Sequence, residues 1–270
     1  MIHAPIVAVI GTGNMGTGLI SGLVNSGHPP ERLWGTCPNK DKLEYLHRCF
    51  HIHTSTNNSQ ASQAADVIIF AIKPQIFQQV AIELTSIIQT RRPLIISIAA
   101  GTREKNIQQW VGGAIPIVRA MPNTPALIGA GATALYANHY VKKKQLDIAE
   151  SILRSVGIVV WLKQEMLLDS VTAVSGSGPA YFFLVMEVLQ NVAVKLGLPE
   201  EIASLLVKET ALGAARMAIE SDHSLAELRR KVTSPGGTTE KAISVLEEKH
   251  VREIFAEAIR AAAKRSEELG

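Results

Sequence analysis

The sequence predicts an α/β protein in two parts: a strand-and-helix region over residues 1–162, then an all-helical region over residues 163–270. Three observations carry this. The apolar run Ile6-Val7-Ala8-Val9-Ile10 leads directly into Gly11-Thr12-Gly13-Asn14-Met15-Gly16. Short apolar runs then alternate with segments of helical spacing as far as Leu162. From Lys163 the strand signals cease and only helical spacing remains. A G-x-G-x-x-G spacing set between a buried strand and an amphipathic helix is the context that a dinucleotide fingerprint requires. The first part therefore reads as a Rossmann-type dinucleotide-binding domain.

Each fingerprint glycine has a physical task. Gly11 permits the tight turn, Gly13 lets the backbone approach a pyrophosphate, and Gly16 lets the helix lie close to the strand. The helix from Asn14 to Ser26 carries its apolar stripe at Met15, Leu19, Leu23 and Val24, and turns its free N–H groups toward the phosphates. Arg32 to Thr36 reads as the second strand. A fold that binds NAD usually places an acid about 20 residues past the fingerprint, on the ribose 2′-OH. Here Gly35-Thr36-Cys37-Pro38-Asn39-Lys40 has none before Asp41. Asn39 and Lys40 offer donors to a 2′-phosphate, so the expected cofactor is NADP, with NADPH preferred over NADH.

Leu43 and Leu46 face the second helix inward, and His51-Ile52-His53 reads as a short third strand with both histidines on one face. No third ligand accompanies them, so they read as surface histidines and no metal site is expected. Asn57-Asn58-Ser59 is a turn or helix cap. Asp66 to Ile72 is a buried strand that delivers Ala71, Ile72, Lys73 and Pro74 to the crevice at the strand ends. A helix over Gln75 to Gln89 follows, then a strand from Leu94, ending in the small residues Ala99, Ala100 and Gly101, which leave room for a flat ring. After a short helix and a strand over Ile115 to Val118, Arg119 to Gly129 reads as a functional loop fixed by Pro122 and Pro125. Two further strands, Ala132–Tyr136 and Ile158–Trp161, flank a helix over Lys142 to Ser155 and close the domain.

The helical part has apolar spacing through Ala180–Leu196, Pro199–Ile219, Leu225–Val232, Glu240–Glu248 and Val251–Leu269. Tyr181, Phe182, Phe183, Leu184, Val185, Met186, Val188 and Leu189 make the first of these apolar nearly all round, which calls for burial on most sides. A subunit interface is expected there. Two glycine-rich turns, Val174 to Pro179 and Thr233 to Thr239, stand before helices and present N–H groups and hydroxyls suited to a carboxylate. Ordinary helix capping would explain either turn taken alone.

Composition narrows the function. Of the 270 residues 47% are hydrophobic and 19% charged, and the net charge is +3 from 27 Lys and Arg against 24 Asp and Glu. No basic block stands out; the short run Lys142-Lys143-Lys144 reads as a solvated helix end, so no nucleic acid is expected. Cys37 and Cys49 form no disulfide framework. The uncharged run Ala120–Val141 is broken by two prolines and two glycines, so no membrane span is expected. With no signal peptide ahead of the first strand, a cytoplasmic location is expected.

The motifs Gly11-Thr12-Gly13-Asn14-Met15-Gly16, Ala71-Ile72-Lys73-Pro74-Gln75, Arg119-Ala120-Met121-Pro122-Asn123-Thr124-Pro125, Ser175-Gly176-Ser177-Gly178-Pro179-Ala180-Tyr181 and Ser234-Pro235-Gly236-Gly237-Thr238-Thr239 together resemble pyrroline-5-carboxylate reductase. The resemblance runs from Ile6 to the C-terminal helix. It implies reduction of 1-pyrroline-5-carboxylate to L-proline with NAD(P)H, the last step of proline biosynthesis. By position it implies a cofactor lined by Ile10, Gly11, Thr12, Gly13, Asn14 and Met15, by Cys37, Pro38, Asn39 and Lys40, by Asn58, by Ala71, Ile72, Lys73 and Pro74, and by Ile98, Ala99 and Ala100. It implies a substrate surrounded by Glu165, Ser234, Gly236, Gly237, Thr238 and Thr239, with the Thr239 hydroxyl on the ring nitrogen as the catalytic contact. Lys231 stands where the family often has a cofactor-contacting Asn. The family forms homodimers through the helical domain, often built into rings such as a decamer of five dimers. A β-hydroxyacid dehydrogenase would need a catalytic lysine soon after a glycine-rich turn, and Lys195 and Lys208 do not follow one. A binding protein that kept the fold and lost turnover is separated from the reductase by an activity assay.

Overall fold

The computed structural model describes residues 4–270. They form two compact units, one ending at Ser177 and rejoined by Ala262–Gly270, the other spanning Gly178–Ala261. The last strand ends at Trp161, next to the 162/163 division where strand signals cease in the sequence.

The first unit is built on one eight-stranded sheet. Its strands are β1 (Val7–Ile10), β2 (Leu33–Thr36), β3 (His53–Ser55), β4 (Val67–Phe70), β5 (Leu94–Ser97), β6 (Ile117–Met121), β7 (Gly131–Ala137) and β8 (Gly157–Trp161). The order is β3-β2-β1-β4-β5-β6-β7-β8. All neighbours are parallel except β6 and β7. The 3-2-1-4-5-6 portion is the doubly wound order, whose switch point lies between β1 and β4. Seven helices accompany the strands: α1 (Asn14–Asn25), α2 (Lys40–Phe50), α3 (Asn58–Ala64), α4 (Pro74–Glu83), α5 (Thr85–Arg91), α6 (Glu104–Trp110) and α7 (Lys143–Arg154).

Alternation along each strand feeds two cores. Val7, Val9, Val67 and Ile69 pack with Leu19 and Leu23 of α1 and Ile152 of α7. Ala8, Ile10, Ile68 and Phe70 pack with Phe77 of α4, Ile88 of α5 and Ile107 of α6. Both faces of the central strands are covered, which is why these strands read as continuous apolar runs.

Three local readings need correction. His51 is the left-handed cap of α2 and only His53 enters β3, so the two histidines do not share a strand face; both are exposed. The predicted loop from Arg119 begins inside β6, and Thr124–Ile128 is a 3₁₀ turn. The residues read as a glycine-rich turn before Pro179 lie in helical backbone: α8 (Leu167–Val171) passes into a π-helical turn, Thr172–Gly176, and helix resumes at Gly178. The Ser177 N–H there bonds to Thr172 O at 2.8 Å, so this segment does not present a row of free N–H groups.

The second unit contains α9 (Gly178–Lys195), α10 (Glu200–Glu220), α11 (Leu225–Lys231), α12 (Thr238–Glu248) and the start of α13 (Val251–Glu268). Gly197, with φ +99°, takes the left-handed conformation that ends α9. Ser224 and Glu227 form a reciprocal capping box at α11. The chain from Leu167 to Lys195 is long and apolar enough to cross a membrane by length and composition, although the long apolar helices of soluble proteins pass the same test.

Candidate functional site

The fingerprint glycines do what their spacing requires. Gly11 has φ +94°, and a Cβ there would lie 2.6 Å from Ala71 O, so a side chain is excluded on both counts. A Cβ at Gly16 would collide with Gly11 O, which is how α1 gets close to the strand. Gly13 is different: nothing lies within 4 Å of its Cβ position. It is the N-cap of α1, with no side-chain cap and no acid in the first turn. The N–H groups of a twelve-residue helix therefore open onto unobstructed space at the switch point. Beside them the Thr12 hydroxyl is buried and has no partner among the described residues. An open glycine, an uncapped helix start and an orphaned hydroxyl together fit a pyrophosphate.

The other sequence-predicted cofactor residues lie at the carboxyl ends of the same strands. Ala71 N donates to Ile10 O at 2.8 Å, and Gly11 N to Thr36 O at 2.9 Å, joining the ends of β4, β1 and β2. Lys73 is the N-cap of α4 and Pro74 its first residue. Past β2, Asn39 caps α2, its Oδ1 accepting Lys42 N at 3.0 Å, which leaves its amide N–H₂ to donate. Lys40 opens that helix and is exposed. The Thr36 hydroxyl donates to Asn58 Oδ1 at 2.6 Å, which likewise leaves the Asn58 amide nitrogen as the outward group. Ile98, Ala99 and Ala100 follow β5, and Ala99 is buried.

At the ends of β6 and β7 sits a charged cluster largely missed by sequence reading. Arg119 is 4% exposed, and its Nη1 donates to Glu165 Oε1 at 2.6 Å. The same oxygen accepts Glu104 N at 2.6 Å, while Oε2 has no protein partner among the described residues. Burial lowers the Arg119 pKa and the Glu165 contacts oppose that shift. Burial raises the Tyr136 pKa, and the Glu165 and Glu104 carboxylates add to it. Arg103 Nη2 meets Asp169 Oδ2 at 2.8 Å, and Ser266 donates to Asp169 Oδ1 at 2.8 Å. One sequence signal was available: Arg119 is a lone charge closing an apolar run at a strand's carboxyl end.

In the second unit, Thr238 and Thr239 open α12. Gly237 N donates to Ser234 O at 3.0 Å and Gly236 N to Glu240 Oε2 at 2.7 Å, so both N–H groups are already engaged. The first-turn N–H groups of Thr238 and Thr239 have no acceptor within the helix. Lys231 Nζ lies against His223 Nε2. A cleft of about 490 Å³ bounded by Pro5, Leu23, His28 and Ile148 lies at the opposite, amino-terminal ends of the strands and holds none of these groups.

Comparison with known proteins bears on this arrangement directly. Residues 6–101 match a family described as NADP oxidoreductase, coenzyme F420-dependent. Residues 165–269 match the pyrroline-5-carboxylate reductase dimerisation family. Pyrroline-5-carboxylate reductase of Pseudomonas aeruginosa is 44% identical over 268 residues, covering 99% of this chain and 98% of its own. This chain belongs to the pyrroline-5-carboxylate reductase family. A solved family structure from Coxiella burnetii is 46% identical, with a TM-score of 0.93 and 99% of each chain covered. A second, from Plasmodium falciparum with NADP bound, is 30% identical, with a TM-score of 0.90 and full coverage of both chains. The dinucleotide fold, the oxidoreductase class, NADP as cofactor and dimerisation through the helical region are thereby shown.

Proposed function

We propose that this protein reduces 1-pyrroline-5-carboxylate to L-proline with NADPH, the last step of proline biosynthesis. The full-length match to the Pseudomonas aeruginosa reductase carries the reading. Residues 1–162 serve as the dinucleotide domain and 163–270 as the substrate-binding and dimerisation domain. Ile10 to Met15 cradle the pyrophosphate, Ala71 to Pro74 and Ile98 to Ala100 the remainder of the cofactor. NADPH is preferred over NADH because β2 ends without an acid and the amides of Asn39 and Asn58, with Lys40 and the backbone of Cys37 and Pro38, offer donors to a 2′-phosphate.

Bound NADPH supplies a hydride to the imine carbon. The chain's residues bind and orient the acceptor. An iminium accepts hydride better than an imine, and the Glu165 carboxylate, held through Oε1, keeps Oε2 for the cationic substrate. The Thr239 hydroxyl orients the ring nitrogen. It has no useful acidity near neutrality, so the proton comes from solvent or arrives on the substrate. Ser234, Gly236, Gly237 and Thr238 surround the carboxylate, which takes the unpaired N–H groups of α12 and displaces Glu240 from Gly236.

The protein works as a homodimer, assembled further as a decamer of five dimers, in the cytoplasm, free of membrane and nucleic acid. The apolar faces of α9 and α10 are the surface a second subunit covers. NADPH oxidation with 1-pyrroline-5-carboxylate, with L-proline formed in equal amount, tests the function. Repeating it with NADH tests the preference. Absence of turnover in folded, NADPH-binding protein would overturn the reading.

A further inference from the structure

Two motifs remain without a role: Met121-Pro122-Asn123-Thr124-Pro125 and Ser175-Gly176-Ser177-Gly178-Pro179. The structure joins Asn123 to Ser175 inside the first unit. Asn123 precedes the 3₁₀ turn Thr124–Ile128, yet its side chain does not cap that turn. Its Oδ1 accepts Ala132 N at 2.8 Å, and its Nδ2 donates to Ser175 O at 3.2 Å. The second bond has a chemical reason. In a helix Ser175 O would accept from the residue four positions on, which is Pro179 and has no N–H. The Asn123 amide supplies a donor to that carbonyl at the π-helical turn.

The same loop touches two further places. A Cβ at Gly176 would run into Met121 Cε, so the methionine lies directly over that glycine. A Cβ at Gly18 of α1 would lie 2.8 Å from Leu127 Cδ2, so the far end of the loop seats on the fingerprint helix. Ser97 pairs with Arg119, which sets Met121 one strand across from the segment Ile98–Ala100. The loop thus spans from the helix that starts at the pyrophosphate cradle to the π-helical turn, past the end of β6.

We propose that Asn123 is a positioning residue for hydride transfer: by supplying the donor that Pro179 lacks, it fixes the π-helical turn and Met121 at one spacing from the cofactor crevice. This rests on the reductase reading. π-Helical turns interrupt α-helices often at functional sites, and the Ser175 carbonyl in this one takes its donor from the Asn123 side chain.

The test is a four-member set: wild type, Asn123→Ala, Pro179→Ala and the double variant, the last returning a backbone N–H four residues beyond Ser175. Asn123→Ala is expected to lower kcat about 10²-fold, the scale of a misplaced reacting pair. Its NADPH Kd, read by fluorescence titration, stays within about twofold of wild type, and the primary isotope effect with C4-deuterated NADPH rises as hydride transfer limits turnover. The double variant recovers roughly tenfold of the lost kcat, a coupling that independent sites do not show. Unchanged kcat in Asn123→Ala overturns the proposal, as does a loss that the double variant leaves in place. The wild-type assay with 1-pyrroline-5-carboxylate reads the reductase function separately, and the melting temperatures of the four proteins report the Asn123–Pro179 coupling whatever the substrate proves to be.

Discussion

Phenylalanine behaves oppositely in the two units. Phe70 and Phe77 in the first are fully buried, their rings 4.7 Å apart between sheet and helix. Phe182 and Phe183 in the second are 70% and 63% exposed. The contrast extends along α9 and α10, where Leu184, Leu189, Leu205 and Leu212 are also exposed. In the first unit both faces of the central strands are covered, and among its strands the exposed large apolar side chains, Ile158 and Val160, lie on the edge strand β8. A sheet wrapped on both sides by helices completes its own core. A small set of helices that leaves so many large apolar side chains in water does not, and takes the rest of its burial from association. The first unit is therefore organised for the cofactor, and the second for a second subunit.

The largest effect should come from breaking that association. Phe182→Asp with Phe183→Asp puts charges where a partner's apolar face is expected. Each buried phenylalanine contributes about 3–5 kcal/mol against truncation, so the dimer should dissociate at micromolar concentration. Sedimentation equilibrium reads this. NADPH binding, which belongs to the first unit, should survive in the monomer. A dimer that persists would remove the explanation for the exposed face and with it the contrast between the units.

Next in size is a change that separates cofactor from substrate. Thr239→Ala should lower kcat/KM for 1-pyrroline-5-carboxylate about 10²-fold, the usual cost of one well-placed hydrogen-bond donor at the reacting centre. NADPH Kd, assigned in the proposed site to Gly11 to Met15 of the other unit, should be unchanged. Steady-state kinetics beside a binding titration separates the two. Full kcat/KM in the variant would withdraw Thr239 from the chemistry.

The units also differed in how far sequence reached. The central strands have a local signature, because a strand covered on both faces must be apolar throughout; β3 was misplaced by the histidine that caps α2, and β6 was ended too early, at Val118 instead of Met121. The fingerprint was legible from its spacing alone, although its glycines answer to different things: Gly11 to Ala71 O, Gly16 to Gly11 O, and Gly13 to open space. Arg119 was not. It looked like the start of a loop because the residues after it are Pro- and Gly-rich, and its partner Glu165 lies 46 residues on. Ser175 to Pro179 read as a turn since Gly and Pro are local breakers. In the structure the segment is a π-helical turn with its own Ser177 N to Thr172 O bond, and Ser175 O accepts from Asn123, 52 residues away. Local periodicity records which face is apolar; it carries no record of which distant side chain completes a backbone.

A smaller effect tests the cofactor half. Lys40→Ala should raise KM for NADPH about tenfold, as one charge-assisted contact to a 2′-phosphate is lost, and leave KM for NADH within about twofold. Asn39 keeps its cap on α2, so the helix persists. Because Lys40 is exposed, the effect should shrink as salt is raised. Equal changes for both cofactors would mean that selectivity is read elsewhere, with Asn58 the next residue to replace.

The smallest expected effect lies at α12 and has an unusual sign. Glu240 Oε2 holds Gly236 N at 2.7 Å, so a carboxylate of the chain already sits on an N–H that the proposed site offers to the carboxylate of the substrate. Glu240→Ala removes the competitor. The net value of such a bond is about 1 kcal/mol, so KM for 1-pyrroline-5-carboxylate should fall about fivefold with kcat unchanged. The same substitution removes the only acid in the first turn of α12, where a negative charge favours the helix by about 0.3–1 kcal/mol. Stability should therefore decrease while substrate affinity increases. A helix merely loosened by the substitution would lower both together. Opposite signs in the melting temperature and in 1/KM separate displacement of Glu240 by substrate from general damage to the turn, and a rise in KM would take Gly236 out of the carboxylate site.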